Sequence, residues 1–321
     1  MSFKILASIR FLELQDLDLI KTPIFNITIH EDEKAKVIDD EFYKYAGLRD
    51  IQSYKKNALA YVNYESDDDN ETFKQAMNAE LMQRVWQIET FLIFLWFVKD
   101  NSVSLEQAYG QFTIAKGINW WTGRNVFSTC EGKFTNTLLS SNEVSKAVDL
   151  LLSYTANCIE KDPIVQKSES ANKPLIQSGE FRSGLDTYKV ENRIERAMSF
   201  LSSARSSPHL PQKVAHYVAI LECLFGSEGS EIIHKVSERT AFYLADTKAT
   251  RITIFNAIKE AYKVRSKFVH GDKPSKNYGQ LCAISIEADS IVREVLKKVI
   301  LNDYKTFLQK NLDQYFNELV F

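Results

Sequence analysis

The chain has 321 residues, about two domains' worth at roughly 150 residues each, and 45% of them are hydrophobic and 26% charged. Its 40 Lys+Arg against 42 Asp+Glu leave a net charge of −2, which excludes a wholly basic nucleic-acid coat and an acidic disordered tail. The longest apolar run, Phe91–Val98, is eight residues. A membrane span needs about 20, so the run is expected in a buried helix of a soluble protein without membrane contact.

The first residues, Met1-Ser2-Phe3-Lys4-Ile5, lack the apolar core and small-residue cleavage site of a signal peptide. Phe3, Ile5, Ala7, Ile9 and Phe11 alternate with Lys4, Ser8 and Arg10, a period of two that predicts a half-buried strand. Phe25, Ile27 and Ile29 repeat the pattern, and Ala58–Tyr64 is a third β-prone run. An acidic turn, Asp67-Asp68-Asp69-Asn70, precedes a long helix expected over about Thr72 to Lys99. Strand-like segments near Phe112–Ile118 and Val126–Phe134 lead to another helix at about Asn142–Cys158. The stretch from Lys161 to Asp186 is rich in Ser, Lys, Gly and Pro without an apolar period, the composition of a linker. The division is therefore an α+β domain over 1–160, a linker over 161–189 and an all-α bundle over 190–321.

Charge follows the same division. From Val190 onward there are 19 Lys+Arg and 15 Asp+Glu, against 21 and 27 before it. The second half reads as a succession of helical stripes. Ile194, Ala197, Met198 and Leu201 mark the first; Val214, Tyr217, Leu221 and Leu224 the second, begun by Pro211 and ended by Gly226. Ile232, Val236, Thr240 and Tyr243 mark a third, and Ile254, Ile258, Tyr262 and Val269 a fourth; Leu281–Leu301 and Tyr304–Leu319 supply two more. Helices with short connections predict a bundle. Cys130, Cys158, Cys223 and Cys282 stand far apart with no paired spacing, which argues against zinc and a disulfide scaffold and fits a reducing cytoplasm.

Chemistry concentrates at the end of the fourth stripe, where Arg265-Ser266-Lys267-Phe268-Val269-His270 is followed by Gly271 and Pro274. On a continuous helix Arg265 and His270 point about 140° apart. Gly271 is expected to end the helix in a left-handed conformation, leaving His270 on a loosened last turn from which its ring can swing toward Arg265. Seven Lys+Arg lie between Arg251 and Lys276 against Glu260 and Asp272. An imidazole that titrates near neutral pH can take a proton from a ribose 2′-hydroxyl. A guanidinium can hold the phosphate and its developing charge. Lys263 and Lys267 are candidate RNA-phosphate contacts. Glu222 and Arg239 are charges in apolar helical stretches; they either form a buried salt bridge between helices or orient Arg265 and His270. No Gly-rich phosphate loop, HExxH or GxSxG occurs, so NTPase, zinc protease and α/β-hydrolase chemistries find no support. Trp120-Trp121 can stack a base or pack a hinge, and the remaining histidines, His30, His209, His216 and His234, lack metal-ligand spacing.

The segment from about Arg193 to Asp272 resembles the HEPN superfamily, and within it the ApeA-like branch, whose signature is Arg, four to six residues, then His at the end of a long helix. Ala219-Ile220-Leu221-Glu222-Cys223-Leu224 resembles the branch's "A-x-L-E-x-L" helix. Ser237-Glu238-Arg239-Thr240-Ala241 matches "x-x-R-x-A", and Tyr262-Lys263-Val264-Arg265-Ser266 matches "Y-x-x-R-S". The resemblance implies a HEPN-type helical bundle forming a homodimer, with Arg265 and His270 of each chain beside the two-fold axis. It further implies a metal-independent endoribonuclease without a cofactor, of the toxin or anti-phage effector kind, acting on RNA such as tRNA. A phage-derived trigger or an antitoxin would then be a partner, and the first domain a sensor. Many HEPN proteins carry Asn, His or Asp after the arginine; Ser266 stands there in this chain and is assigned, with Glu222 and Arg239, a supporting role. The alternative is a non-catalytic HEPN module for nucleotide binding or dimerisation.

Overall fold

The computed structural model describes residues 2–15, 19–65, 71–112, 117–123, 125–159, 192–227, 231–272 and 276–320. The expected acidic turn at Asp67–Asn70 and the linker over 161–189 lie outside the described residues. The chain forms an N-terminal α+β region followed by a helical C-terminal region. It divides into two compact units. The first holds Met1–Phe127 and Phe134–Leu151; the second holds Ser128–Lys133, the stretch from Leu152 to residue 159, and the chain from residue 192 onward.

The first unit is built on a six-stranded antiparallel sheet. Its strands are β1 (Ser2–Arg10), β3 (Ile20–Lys21), β4 (Asn26–Thr28), β5 (Ala58–Glu65), β6 (Ser104–Phe112) and β7 (Gly117–Thr122), in the order β3-β4-β5-β1-β6-β7. A short parallel pair joins β2 (Leu12–Leu14) to β8 (Thr137–Leu139). β1 is central, paired with β5 and β6, with Ile5 opposite both Val62 and Gly110. Contrary to the half-buried expectation, Ile5 through Ile9 are all fully buried. The reason is that both faces are covered. Leu6 joins Val37, Ile38, Phe42, Tyr54 and Tyr109 in one cluster, beneath the short helices α1 (Glu31–Val37), α2 (Asp40–Tyr45) and α3 (Leu48–Lys56). The long helix α4 (Glu71–Val98) also packs on β1 and β6.

Helix α4 matches the expected span. Its segment Leu81–Val98 is long and apolar enough to cross a membrane by length and composition. Phe91, Leu92, Phe94, Leu95, Trp96 and Phe97 are nonetheless fully buried within the protein, each contributing about 1.5–3 kcal/mol of apolar burial. It is a core helix.

Two expected strands are corrected. The strand starts at Ser104, ahead of Phe112, and Val126–Phe134 is not a strand but an irregular segment. Most of that segment, Ser128–Lys133, belongs to the second unit, and hydrogen bonds explain why. The Ser128 N–H donates to Arg205 O at 2.8 Å, and its Oγ donates to Ser207 O at 3.1 Å. Ser285 Oγ donates to Cys130 O at 2.5 Å. Gly132 has φ +75°, and a Cβ there would sit 2.3 Å from Pro208 O, so the close approach demands glycine.

Helix α5 (Ser141–Asn157) leads out of the first half. The helical unit then continues with α6 (Arg193–Ser206), α7 (Leu210–Phe225), α8 (Ile232–Leu244), α9 (Lys248–His270) and α10 (Tyr278–Lys298). Beyond a π-helical turn over Val299–Asp303 come α11 (Tyr304–Phe307) and α12 (Asp313–Val320), two short helices where one was expected over Tyr304–Leu319. Asn192 begins α6 with a full capping box, its side chain accepting from the Glu195 N–H while Glu195 accepts from the Asn192 N–H. Pro211 sits in the first turn of α7, where its missing N–H costs nothing. α7 is the hub, packed against α6, α8, α9 and α10, which is why Val214, Tyr217, Val218, Leu221 and Leu224 are all buried. Two stripe residues do not join the core: Ile232 is 40% exposed and Val269 57%.

Candidate active site

Helix α9 carries the motif. Thr247 caps its start by accepting the Thr250 N–H at 3.3 Å, and Ile258, Ala261, Tyr262 and Val264 bury one side of it. Gly271 ends it at φ +77°, and the Asp272 N–H turns back to Lys267 O at 2.9 Å. Nothing lies within 4 Å of a Cβ built there, so glycine is required by the backbone conformation rather than by space.

The last turn is not loosened. α9 stays helical through His270, so the two motif positions keep their separation of about 140° around the axis. His270 is exposed and has no hydrogen bond or ion pair with a described residue. Ser266 is also exposed. The six Lys+Arg of α9 against one acid make this a strongly cationic helix.

Arg265 meets Glu222 of α7, Nη2 to Oε2 at 3.8 Å, with side chains 37% and 22% exposed. Tyr262, one turn earlier on α9, lies near the same carboxylate, but its buried hydroxyl has no hydrogen-bond partner among the described residues. Burial first, and then the nearby charge of Glu222, push its phenol well above the usual tyrosine range. Glu222 therefore sits between a guanidinium and a phenol.

The salt bridge between Glu222 and Arg239 does not form. Arg239, 9% exposed, donates from Nη1 to Phe225 O at 2.8 Å and to Ser227 Oγ at 3.0 Å. Its guanidinium lies 4.3 Å from the centre of the Phe316 ring. The carbonyls ending α7 are a better partner for it, because the C-terminus of a helix is negative and leaves four carbonyls without intrahelical donors. Its place is structural, one helix end away from Arg265.

Other cations of this unit do the same. Arg193 Nη1 donates to Leu224 O at 3.0 Å, and Lys213 Nζ, fully buried, donates to Ala204 O at 2.7 Å. Lys298 Nζ reaches Tyr243 O and Arg251 Nε reaches Ala245 O, each at 2.7 Å. The ends of α6, α7 and α8 are thus closed by cations. Arg265 closes no helix end: like Lys263, Lys276, Arg293 and Lys297 it faces a carboxylate, and more than a third of its side chain remains accessible.

The two lysines differ. Lys263 and Lys276 both pair with Glu260, which pulls that carboxyl down to about 2. Lys267 is half-buried and has no ion pair with a described residue, so it is the lysine with charge to spare.

Two features escaped the sequence. His209 caps the start of α7, and its ring lies 5.8 Å from that of Phe268, bringing a second imidazole to the end of α9. Glu222 also lines a groove of about 650 Å³ with Arg193, Ser227, Lys310 and Phe316, so the carboxylate beside Arg265 borders a concave surface that Arg265 and His270 do not themselves line. The other histidines are placed elsewhere. His234 packs edge-on against Phe255, His216 is half-buried beside Phe200, and His30 caps α1. Trp121 is half-buried in β7; the Trp120 side chain lies outside the described residues. No family model, curated protein or solved structure matches this chain.

Proposed function

We propose that the helical unit is a metal-independent endoribonuclease of the HEPN kind, acting in the cytoplasm as a toxin or anti-phage effector. The observation that carries this reading is Arg265. It is held by Glu222 on an otherwise cationic helix, takes no part in closing a helix end, and precedes by about one turn and a half an exposed His270 that has no partner among the described residues. In this mechanism His270 takes the proton of a ribose 2′-hydroxyl, and the resulting oxygen attacks the adjacent phosphorus. The bond to the 5′-oxygen breaks and that oxygen takes a proton from solvent water, leaving a 2′,3′-cyclic phosphate and a 5′-hydroxyl. Arg265 meets the extra charge on the non-bridging oxygens, while Glu222 fixes the direction of its fork. Lys267 adds attraction for the backbone. His270 is exposed and Arg265 partly so on a single chain, a state that suits completion of the site by a second copy across a two-fold axis.

A second reading is a non-catalytic module for nucleotide binding or dimerisation. The Arg265–Glu222 pair favours it, because a guanidinium already beside a carboxylate offers phosphate less net charge. Incubating purified protein with total RNA in EDTA separates the two: the enzyme cleaves under chelation and leaves cyclic phosphate ends, and the module leaves RNA intact. Light scattering over a concentration series tests assembly, and a strictly monomeric yet active protein would refute the shared site.

A further inference from the structure

The first unit holds a polar groove of its own, of about 570 Å³. Four residues of α3 line it: Arg49, Gln52, Ser53 and Lys56. Their spacing of three, one and three residues puts them on one helix face, while Tyr54 on another face is buried and donates to Leu6 O at 3.0 Å. The opposite wall comes from β1 and its exit, Arg10 and Phe11, and from Glu106 of β6.

Two backbone irregularities converge here. The β1–β6 register shifts between Ser8 and Ile9, leaving Glu106 as the extra residue between Leu105 and Gln107. Such a bulge re-aims a side chain. Phe11 has φ +64°, a conformation that costs a non-glycine residue about 1–3 kcal/mol; it turns the chain and places the ring at the groove. Glu106 then organises the floor. Its Oε2 accepts from Ser53 Oγ at 2.5 Å and Asn57 Nδ2 at 2.7 Å, and its Oε1 faces Arg10 Nη2 at 2.9 Å. Ser8 Oγ, fully buried, bonds Ser53 Oγ at 2.7 Å.

The charge is asymmetric in its availability. The two carboxylates lining the groove, Glu106 and Glu13, already have partners, the latter in Asn136 Nδ2 at 2.7 Å. Arg49 and Lys56 have no hydrogen bond or ion pair with a described residue, and Arg10 Nε is buried without an acceptor among them. Unspent cations beside an aromatic ring and the free amide of Gln52 suit a phosphate joined to a planar, hydrogen-bonding ring. We infer that this groove of the N-terminal unit binds a nucleoside phosphate, with Arg49 and Lys56 on the phosphate and Phe11 and Gln52 at the base. The volume fits, because small-ligand sites span about 300–1,000 Å³. The inference is independent of the ribonuclease reading, and its test uses no cleavage.

Titration calorimetry of the full-length protein with AMP, ATP, GTP and inorganic phosphate is the experiment. At least one nucleotide should bind more tightly than about 1 mM and at least tenfold more tightly than phosphate. Arg49→Ala and Lys56→Ala, both exposed and without partners among the described residues, should each weaken it at least fivefold while thermal unfolding stays parental. No nucleotide binding in that range would overturn the inference, as would phosphate binding equally well. Binding unchanged in both variants, or lost in Arg265→Ala instead, would move the ligand elsewhere and overturn it too.

Discussion

The two units differ in which ionic contact is prominent, and each also uses the other's device: Lys34 closes α3 through Lys55 O and Asn57 O in the first, and Lys263 and Lys276 share Glu260 in the second. In the first, carboxylates pin short helices to the sheet. Asp39, at the start of α2, accepts from Lys4 of β1 at 3.0 Å and Gln111 of β6 at 2.9 Å. Asp50 of α3 accepts from Tyr109 of β6 at 2.6 Å, and Glu106 of β6 accepts from Ser53 and Asn57. In the second, cations close helix ends through backbone carbonyls, as Arg193, Lys213, Arg239, Arg251 and Lys298 do. The difference follows from the architecture. The ladders of a sheet occupy most of its carbonyls, so side-chain acids take several of the donors, although Tyr54 still donates to Leu6 O; a bundle presents several negative helix ends at once. The groups left for ligands are those with charge or exposure to spare: His270, Arg49 and Lys56 have no ion pair with a described residue, and Arg265 keeps more than a third of its side chain accessible beside Glu222.

The largest effect that sharpens this contrast is on chemistry. His270→Ala should lower RNA cleavage by about 10²–10⁴-fold, the usual loss for a general acid–base group, while the melting temperature stays near parental because the residue is exposed at a helix end. Single-turnover cleavage of one RNA reads the first quantity. A variant cleaving at the parental rate would remove His270 from the site.

The next effect is on stability, and it separates a closing cation from a free one. Arg239→Met keeps the contact with Phe316 but removes the donor to Phe225 O, and should cost about 1.5–3 kcal/mol. Arg265→Met should cost less than about 1 kcal/mol, as for an exposed ion pair. Urea unfolding of both variants measures the gap; equal losses would erase the distinction between them.

A smaller effect tests the fork of Arg265. Arg265→Lys keeps the charge but replaces two parallel donors with a point charge. RNA binding should remain near parental while cleavage slows at least about tenfold, equivalent to roughly 1.4 kcal/mol of transition-state stabilisation. Equal cleavage by both residues would reduce Arg265 to a source of positive field.

Some of this was legible in the sequence and some was not, for reasons particular residues make plain. The end of α9 was readable because Gly271 is a local signal, and a left-handed residue stops a helix whatever packs around it. The helices from α6 to α10 were readable because each shows its period over at least three turns, whereas α4, apolar on all sides toward its end, was readable from its apolar run and the acidic turn ahead of it. Helices α1 to α3 run only seven, six and nine residues, too short for a period to emerge. β6 was missed because Ser104-Leu105-Glu106-Gln107-Ala108-Tyr109-Gly110 contains no β-branched residue and its bulge breaks the alternation. The membership of Ser128–Lys133 in the helical unit rests on bonds to Arg205, Ser207 and Ser285, which no local pattern encodes. At the motif, the spacing announced Arg265 and His270, but the partner of Glu222 was decided by geometry: the negative end of α7 claimed Arg239 and left the carboxylate to Arg265.

The smallest effects lie in pH, and they divide the two units by window. Asp39 is buried enough to raise its pKa, yet the Phe42 N–H, Gln111 and Lys4 outweigh burial and hold it below its usual 3.8. The folded state then binds fewer protons than the unfolded state, so its stabilisation is present above 3.8 and is lost as pH falls through the folded value. His216 is also lowered, below 6.5, by burial first and by the nearby Lys213 second. Here the unfolded chain takes up the proton first, so stability falls as pH drops below 6.5 until the folded pKa is passed. The signs agree but the windows do not. His216→Gln should flatten the stability profile just below pH 6.5 and leave the acid limb unchanged, whereas Asp39→Asn should flatten only the limb below pH 3.8. Melting curves at half-unit pH steps resolve both, and a flattening of the wrong limb by either variant would show that the proton uptake belongs to another group.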